Sequence, residues 1–287
     1  MARRVRQSVK WLLAKAGVHV TNLGCGAYLV RRRVRSDGYD LVDLATDVAI
    51  VTRRTLLGGE RWQRDKHMFM WLGERHLAEL LTRYEVNCVL DVGANAGQYA
   101  TMLRRIGYRG HIVSFEPVPQ FFTELAANAA PDARWSVHNL ALGSADDTAD
   151  MNVTRNTLSS LLPASEYGER RFQSLRRPAT LRVPVRRLDG VLDEILPPGL
   201  DRPRIFLKLD TQGYDVRAFE GLGERHRDVV AMQSEVALLR IYEGMPRLPE
   251  ALSTYERAGF EVSGMFPVNR DGGTLRILEY DCLLVRA

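Results

Sequence analysis

Four residues able to do chemistry stand in or close apolar stretches of this chain. Asp91 lies near the end of "NCVLDV", Lys208 and Asp210 share "IFLKLD", and Glu235 sits in "VVAMQSEV". A carboxylate at the end of a buried run can attract a cation or accept the proton that an alcohol gives up reluctantly in water. Asp210 and Glu235 are therefore the candidate proton acceptors; capping a helix, or pairing with a neighbouring arginine, is the ordinary alternative. Lys208 lies inside its apolar run, where an unpaired ammonium is costly. The chain has lysine only at positions 10, 15, 66 and 208 and otherwise uses arginine, so a compact ammonium at 208 answers a specific demand. Asp210, Glu235 and Asp189 are its available partners, and a purely structural ion pair would satisfy it equally.

A second constellation is "VLDVGANAGQYA" at 89–100. An apolar run ending in an acid, a glycine-containing polar loop and then helix formers make a strand–loop–helix cradle. Gly93 and Gly97 permit close backbone approach, and Asn95 tolerates left-handed conformations. The spacing is G-x-x-x-G, so neither the nicotinamide fingerprint G-x-G-x-x-G nor a P-loop is present. Asp91 would repel a pyrophosphate but attract the ammonium and sulfonium of S-adenosylmethionine. Glu116, nineteen residues beyond Gly97, is placed to accept ribose hydroxyls, a role dinucleotide enzymes also give an acid. Asn139 closes the next apolar run, where it could face adenine or cap a turn.

These side chains need a frame that brings strand ends together. From residue 87 the pattern alternates: strands at 87–92, 111–116, 135–142, 205–210 and 229–236, with helices at 96–106, 119–129, 188–195, 214–221 and 248–258. An excursion at 144–186 carries hairpin-like pieces at "DMNVT" and "LRVPV", and "FEVSGMF" and "LEYDCLLVR" close the chain as an antiparallel pair. Such alternation predicts an α/β fold with a doubly wound, mainly parallel sheet. The antiparallel last strand narrows it to the methyltransferase variety. Another amphipathic helix is predicted from Met68 to Tyr84, and the periodicity of Val5, Val9, Leu12, Leu13 and Ala16 predicts one more at the start.

Composition bounds the rest. At 287 residues, 45% hydrophobic and 26% charged, the chain is that of a soluble globular protein. Residues 1–35 hold nine basic residues and no acid; without them the chain has 31 basic against 35 acidic residues, a net of −4. A mildly acidic body with a basic arm argues against a nucleic-acid enzyme, and leaves the arm free to touch an anionic membrane surface. Three scattered cysteines give no disulfide framework or zinc spacing and fit a reducing cytoplasm. No metal site is expected.

The segments "DVGANAGQYA", "SFEPVP", "NLALG", "FLKLDTQGYDVRAFEG", "QSEVALLRIYEG" and "YDCLLVR" resemble the FkbM family of S-adenosylmethionine-dependent methyltransferases, in the family's order, from about residue 87 to 286. The resemblance implies a seven-stranded, mainly parallel sheet of the class I (Rossmann-like) type at 86–287, preceded by a basic, mostly helical extension at 1–85. It implies methylation of a hydroxyl, typically on a sugar of a glycolipid or polysaccharide, with polyketides as the other substrate class. Carried over by position, Asp91, Gly93, Asn95 and Gly97 would hold the methionine end of the cofactor, Glu116 the ribose and Asn139 the adenine. Asp210, Glu235 and Lys208 would serve the transfer. Gln212 is a departure: the family usually has Glu there, so this chain uses another group or binds the cofactor without turnover. The expected partner is a sugar or lipid-linked sugar, met in the cytoplasm or at the inner face of the membrane; "IYEG" (241–244) and the polar cluster Asn156, Thr157, Ser159 and Ser160 are candidate walls for it.

Overall fold

The computed structural model describes residues 18–24, 27–32, 39–45, 48–53, 61–200 and 202–287. Two compact units divide the chain, Met1–His67 and Met68–Ala287. In the first, Val18–Gly24 (β1) pairs antiparallel with Ala27–Arg32 (β2), and Tyr39–Ala45 (β3) with Val48–Arg53 (β4). The helical part of the extension is Arg61–Arg83 (α1); the two hairpins are an addition to the mostly helical extension expected there. The helix expected over Val5–Ala16 lies outside the described residues.

The second unit alternates as predicted. Cys88–Val92 (β5) leads to Gln98–Arg105 (α2), His111–Phe115 (β6), Pro119–Ala129 (α3) and Trp135–His138 (β7). Ala141–Leu142 (β8), Asp147–Val153 (β9), Glu166–Arg171 (α4), Ala179–Arg186 (β10) and Leu188–Ile195 (α5) follow. Ile205–Leu209 (β11), Asp215–Glu220 (α6), Val229–Ala237 (β12), Leu248–Arg257 (α7), Phe260–Arg270 (β13) and Ile277–Arg286 (β14) complete the chain.

Seven strands form one sheet in the order β13-β14-β12-β11-β5-β6-β7. Six point in one direction, and β14 is antiparallel to both of its neighbours. Every residue of β5 and β11 is buried, because central parallel strands are covered on both faces and read as unbroken apolar runs. Val89 and Phe206 pack on one face with Leu77, Leu80, Leu103 and Leu125. Leu90 and Leu207, one residue on, pack on the other with Leu192, Phe219, Tyr255 and Phe260.

The run predicted as one strand at 135–142 is broken. β7 belongs to the main sheet, while β8 joins β10 and β9 in a separate three-stranded sheet. The two hairpin-like pieces of the excursion, β9 and β10, pair with each other. Between β7 and β8, Asn139 donates its side-chain amide to the carbonyls of Glu116 (2.8 Å) and Pro117 (3.1 Å), fixing the turn.

The chain runs outward in one direction from β5 through β6 to β7, and in the other from β11 to β12. The reversal point lies between β5 and β11, and in open α/β sheets the ligand crevice opens beyond the carboxyl ends of the strands there. The register Asp91↔Lys208 puts both candidate constellations at that crevice.

Candidate active site

A polar row crosses the otherwise apolar sheet one residue below its carboxyl edge: Ser114, Asp91, Lys208 and Gln233 are register neighbours. Asp91 has no exposed surface and Lys208 is 4% exposed. The Lys208 ammonium lies 3.2 Å from Asp91 Oδ1, 3.4 Å from Asp210 Oδ2 and 3.2 Å from the Gly93 carbonyl. Ser114 donates to Asp91 Oδ2 (3.2 Å), and the Trp135 indole donates to Ser114 (3.0 Å). Tyr99 covers the row: its ring centroid is 5.2 Å from Lys208 Nζ, and its hydroxyl donates to Gln233 (2.9 Å). Burial opposes the Lys208 charge, but Asp210 and Asp91 overcome it and raise its pKa. The sequence argument gave Asp91 an open charge for a cationic ligand. In the fold that charge is already met by Lys208, and the acid with exposed surface beside the loop is Asp210, its side chain 42% exposed.

The glycine loop follows directly. Gly93, Asn95 and Gly97 all have positive φ, at 79°, 49° and 88°. A Cβ on Gly93 would stand 2.1 Å from the Asp210 carbonyl oxygen, and one on Gly97 2.7 Å from the Trp135 ring. Glycine is required at both, since the loop is pressed against the end of β11 on one side and the β7 indole on the other. The loop's own amides are spent inside it. Gly93 and Ala94 donate to the Phe115 carbonyl, Gly97 to Ala94, Asn95 to Glu116 Oε2 (2.9 Å) and Ala96 to the Asn95 side chain (2.9 Å). A phosphate cradle needs such amides free, so this loop is not built for a pyrophosphate.

Glu116, 5% exposed, also accepts from the Val118 amide (2.8 Å). Burial raises its pKa, and the two amides act against that. One amide on each oxygen leaves further lone pairs, so the carboxylate can hold the loop and still receive hydroxyl donors. Asn139 braces the adjoining turn as described above.

On the far side of Lys208 lies a group of carboxylates. Glu235 is the register partner of Asp281, and Glu279 lies opposite Ala237, two residues on, so the three share a sheet face. Glu279 is 3% exposed and accepts from Asn269 (2.9 Å). Burial, compounded by mutual repulsion with Asp210, pushes Glu279 up to about 7 and Asp281 to about 6. Burial, then Glu279, Asp210 and Asp281, raises Glu235 well above the ordinary carboxylate range. The Glu235 amide is held by Asp215 Oδ2 (3.1 Å), while Asp215 Oδ1 takes the Thr211 amide (2.8 Å), so one buried acid ties the β11–α6 turn to β12.

Gln212 stands in the middle. Its carboxamide nitrogen donates to Asp210 Oδ1 (3.0 Å) and Glu235 Oε2 (3.2 Å), and its oxygen accepts from the Tyr242 hydroxyl (3.1 Å). The structure thus brings Asp210, Glu235 and Lys208 to one edge with Asp91, Gly93, Asn95 and Gly97. Glu279, Asp281, Asp215 and Tyr242's bond to Gln212 escaped sequence reasoning. The signal for the first two was an i, i+2 acid pair in "LEYDCLLVR", legible only once that strand is paired with β12. Tyr242 is 1% exposed and does not present a ring face to an acceptor. Ser160 donates to the Gln212 carbonyl (2.8 Å), and Asn156 and Ser159 serve turn bonds within their own loop. Lys208 takes Asp91 and Asp210 as partners, whereas Asp189 pairs with Arg187. Among the described residues, no group of three or more His, Cys, Asp or Glu side chains is arranged to hold a metal ion.

A crevice at the β5/β11 reversal, with an antiparallel strand second from the sheet edge and a glycine loop whose own amides are already bonded, is that of a class I S-adenosylmethionine-dependent methyltransferase. Residues 91–262 match the Methyltransferase FkbM domain. The chain belongs to the FkbM methyltransferase family. Methyltransferase sdnD of Sordaria araneosa is 26% identical over 201 residues, which is 61% of this chain and 74% of that protein. Two solved structures are similar at lower identity. The magnesium protoporphyrin IX methyltransferase ChlM of Synechocystis PCC 6803, with bound S-adenosylmethionine, is 8% identical with a TM-score of 0.43, covering 80% of this chain and 85% of that one. An rRNA methylase from Streptococcus thermophilus is 10% identical with a TM-score of 0.41, covering 76% and 96%.

Proposed function

We propose that the protein is an O-methyltransferase acting on a hydroxyl, of a sugar in a glycolipid or polysaccharide. The cofactor, when bound, supplies a methyl group already activated by its sulfonium. What remains for the chain is to align an acceptor oxygen behind that methyl and to take its proton. The supporting observation is Glu235: a carboxylate at the crevice whose proton affinity is raised by burial and by Glu279, Asp210 and Asp281. A base whose pKa is lifted toward the working pH is the one suited to an alcohol. Asp210, exposed beside the glycine loop, would face the cationic donor. The same carboxylates repel phosphate, which favours a neutral polyol over a nucleic acid. The basic residues of 1–35 would hold the enzyme at an anionic inner membrane surface, each contributing about 1 kcal/mol near the lipid. No helix among the described residues is long and apolar enough to cross a membrane.

Mass spectrometry of glycolipids and polysaccharides from a strain lacking the gene tests this. An acceptor lighter by one methylene per lost methyl is expected, restored by the native gene. Glu235→Gln and Asp210→Asn should retain S-adenosylhomocysteine binding in calorimetry but fail to restore the methyl. Full restoration by Glu235→Gln would overturn the base assignment, and unchanged glycans would overturn the acceptor class.

A further inference from the structure

Resting on the reading of Glu235 as base, we propose that Gln212 is a positioning residue. Its carboxamide holds Asp210 and Glu235 apart and aimed at the crevice, and sets the proton affinity of Glu235. The geometry is specific to an amide. Asp210 and the ionised form of Glu235 offer only acceptors, so in that form the side-chain nitrogen faces them, and each of its two hydrogens serves one carboxylate. The Tyr242 hydroxyl, which lies 3.1 Å from both the carboxamide oxygen and the Leu158 carbonyl, favours the same orientation when it donates to the former. The backbone is held as firmly: Gln212 has a φ of 55°, its carbonyl accepts from Ser160, and Gly213 packs beneath Met245 and Tyr242.

A glutamate at 212 could not do this while ionised. It would bring another carboxylate against Asp210 and Glu235 with no hydrogen to offer, in a region that already holds Glu279 and Asp281. One of these acids would have to keep a proton. The departure from the family's usual Glu therefore need not mean a lost function: the amide keeps two neighbouring carboxylates available for proton transfer without a metal ion between them.

The test uses the full chain, saturated with S-adenosylhomocysteine and labelled with carbon-13 at the Glu and Asp carboxyls. The Glu235 resonance is assigned by its loss in Glu235→Gln and followed by NMR against pH. A hydrogen bond to a charged group contributes about 1.5–3 kcal/mol, which at about 1.4 kcal/mol per pH unit predicts that Gln212→Ala raises the Glu235 midpoint by roughly one to two pH units. Gln212→Glu should raise it at least as far. Tyr242→Phe, which leaves both donors but frees the carboxamide to turn, should give a smaller rise, and it stands in if either substitution at 212 fails to fold. A lower melting temperature with an unmoved Glu235 midpoint would show a merely structural residue and overturn the proposal. If instead the midpoint moves as expected while Glu235→Gln still restores the methylated glycan, the linkage holds and the base assignment fails.

Discussion

Glu279 offers the most direct check on the electrostatics of the site. Its carboxyl titrates at about 7 in the fold against an ordinary value of 4.5, chiefly because it is buried. Between those two values the folded chain binds a proton that the unfolded chain has released, so stability must fall as pH rises through that window. This contribution is fully present below about pH 4.5 and lost above about pH 7. A gap of about 2.5 pH units at about 1.4 kcal/mol each comes to roughly 3 kcal/mol. Glu279→Gln removes the ionisation and keeps an acceptor for Asn269, whose amide lies 2.9 Å from the carboxylate. Urea unfolding at pH 4 and pH 8 is the assay. The variant should match the native chain at pH 4 and exceed it by about 3 kcal/mol at pH 8. The effect would be smaller if Glu235 and Asp281 take over part of the proton. Native and variant curves that run parallel across the whole range would refute the reasoning, since they would mean that Glu279 ionises in the fold as it does in water.

Two further outcomes follow from the polar row and the loop. Lys208→Met strands Asp91 without its cation at zero exposure and should cost about 3–5 kcal/mol in urea unfolding. Adding Asp91→Asn should recover most of that loss, and no recovery in the double variant would show that the two side chains are not a pair. Glu116→Gln leaves one acceptor oxygen where the carboxyl group offers one each to the Asn95 and Val118 amides. It should weaken S-adenosylhomocysteine binding by about 10- to 100-fold, as expected for loss of about 1.5–3 kcal/mol; calorimetry showing unchanged affinity would remove Glu116 from the site.

Where one face of each element is buried, the sequence was a sufficient guide. The helices at 119–129 and 188–195 stand at the predicted residues. The strands that carry Asp91 and Lys208 are within a residue of their predicted ends, because a central parallel strand leaves an unbroken apolar run with turn residues on both sides. The break at Asn139 escaped because "WSVHNLAL" is as apolar after the turn as before it; what divides it is the Asn139 side chain bonding across to Glu116 and Pro117. Site residues were legible when they sat at the end of a strand in their own segment. They were not when their role depends on pairing across the sheet, as with Glu279 and Asp281, or on a side chain reaching from another loop, as with Tyr242. Asp91 was expected to present an open charge beside the glycine loop, yet its neutralising lysine lies more than a hundred residues away in the chain, and only the register of β5 with β11 brings them together.

The final strand carries a consequence for how this enzyme can change. Glu279 and Asp281 lie beyond residue 262, where the match to the family domain ends, on a ribbon wedged second from the border of the sheet. The carboxylates grouped around Glu235 are thus drawn from both the matched domain and the stretch that follows it. Drift in the terminal stretch can alter the surroundings of Glu235 while the glycine loop is left alone, but shortening that stretch would unzip β13 along with it.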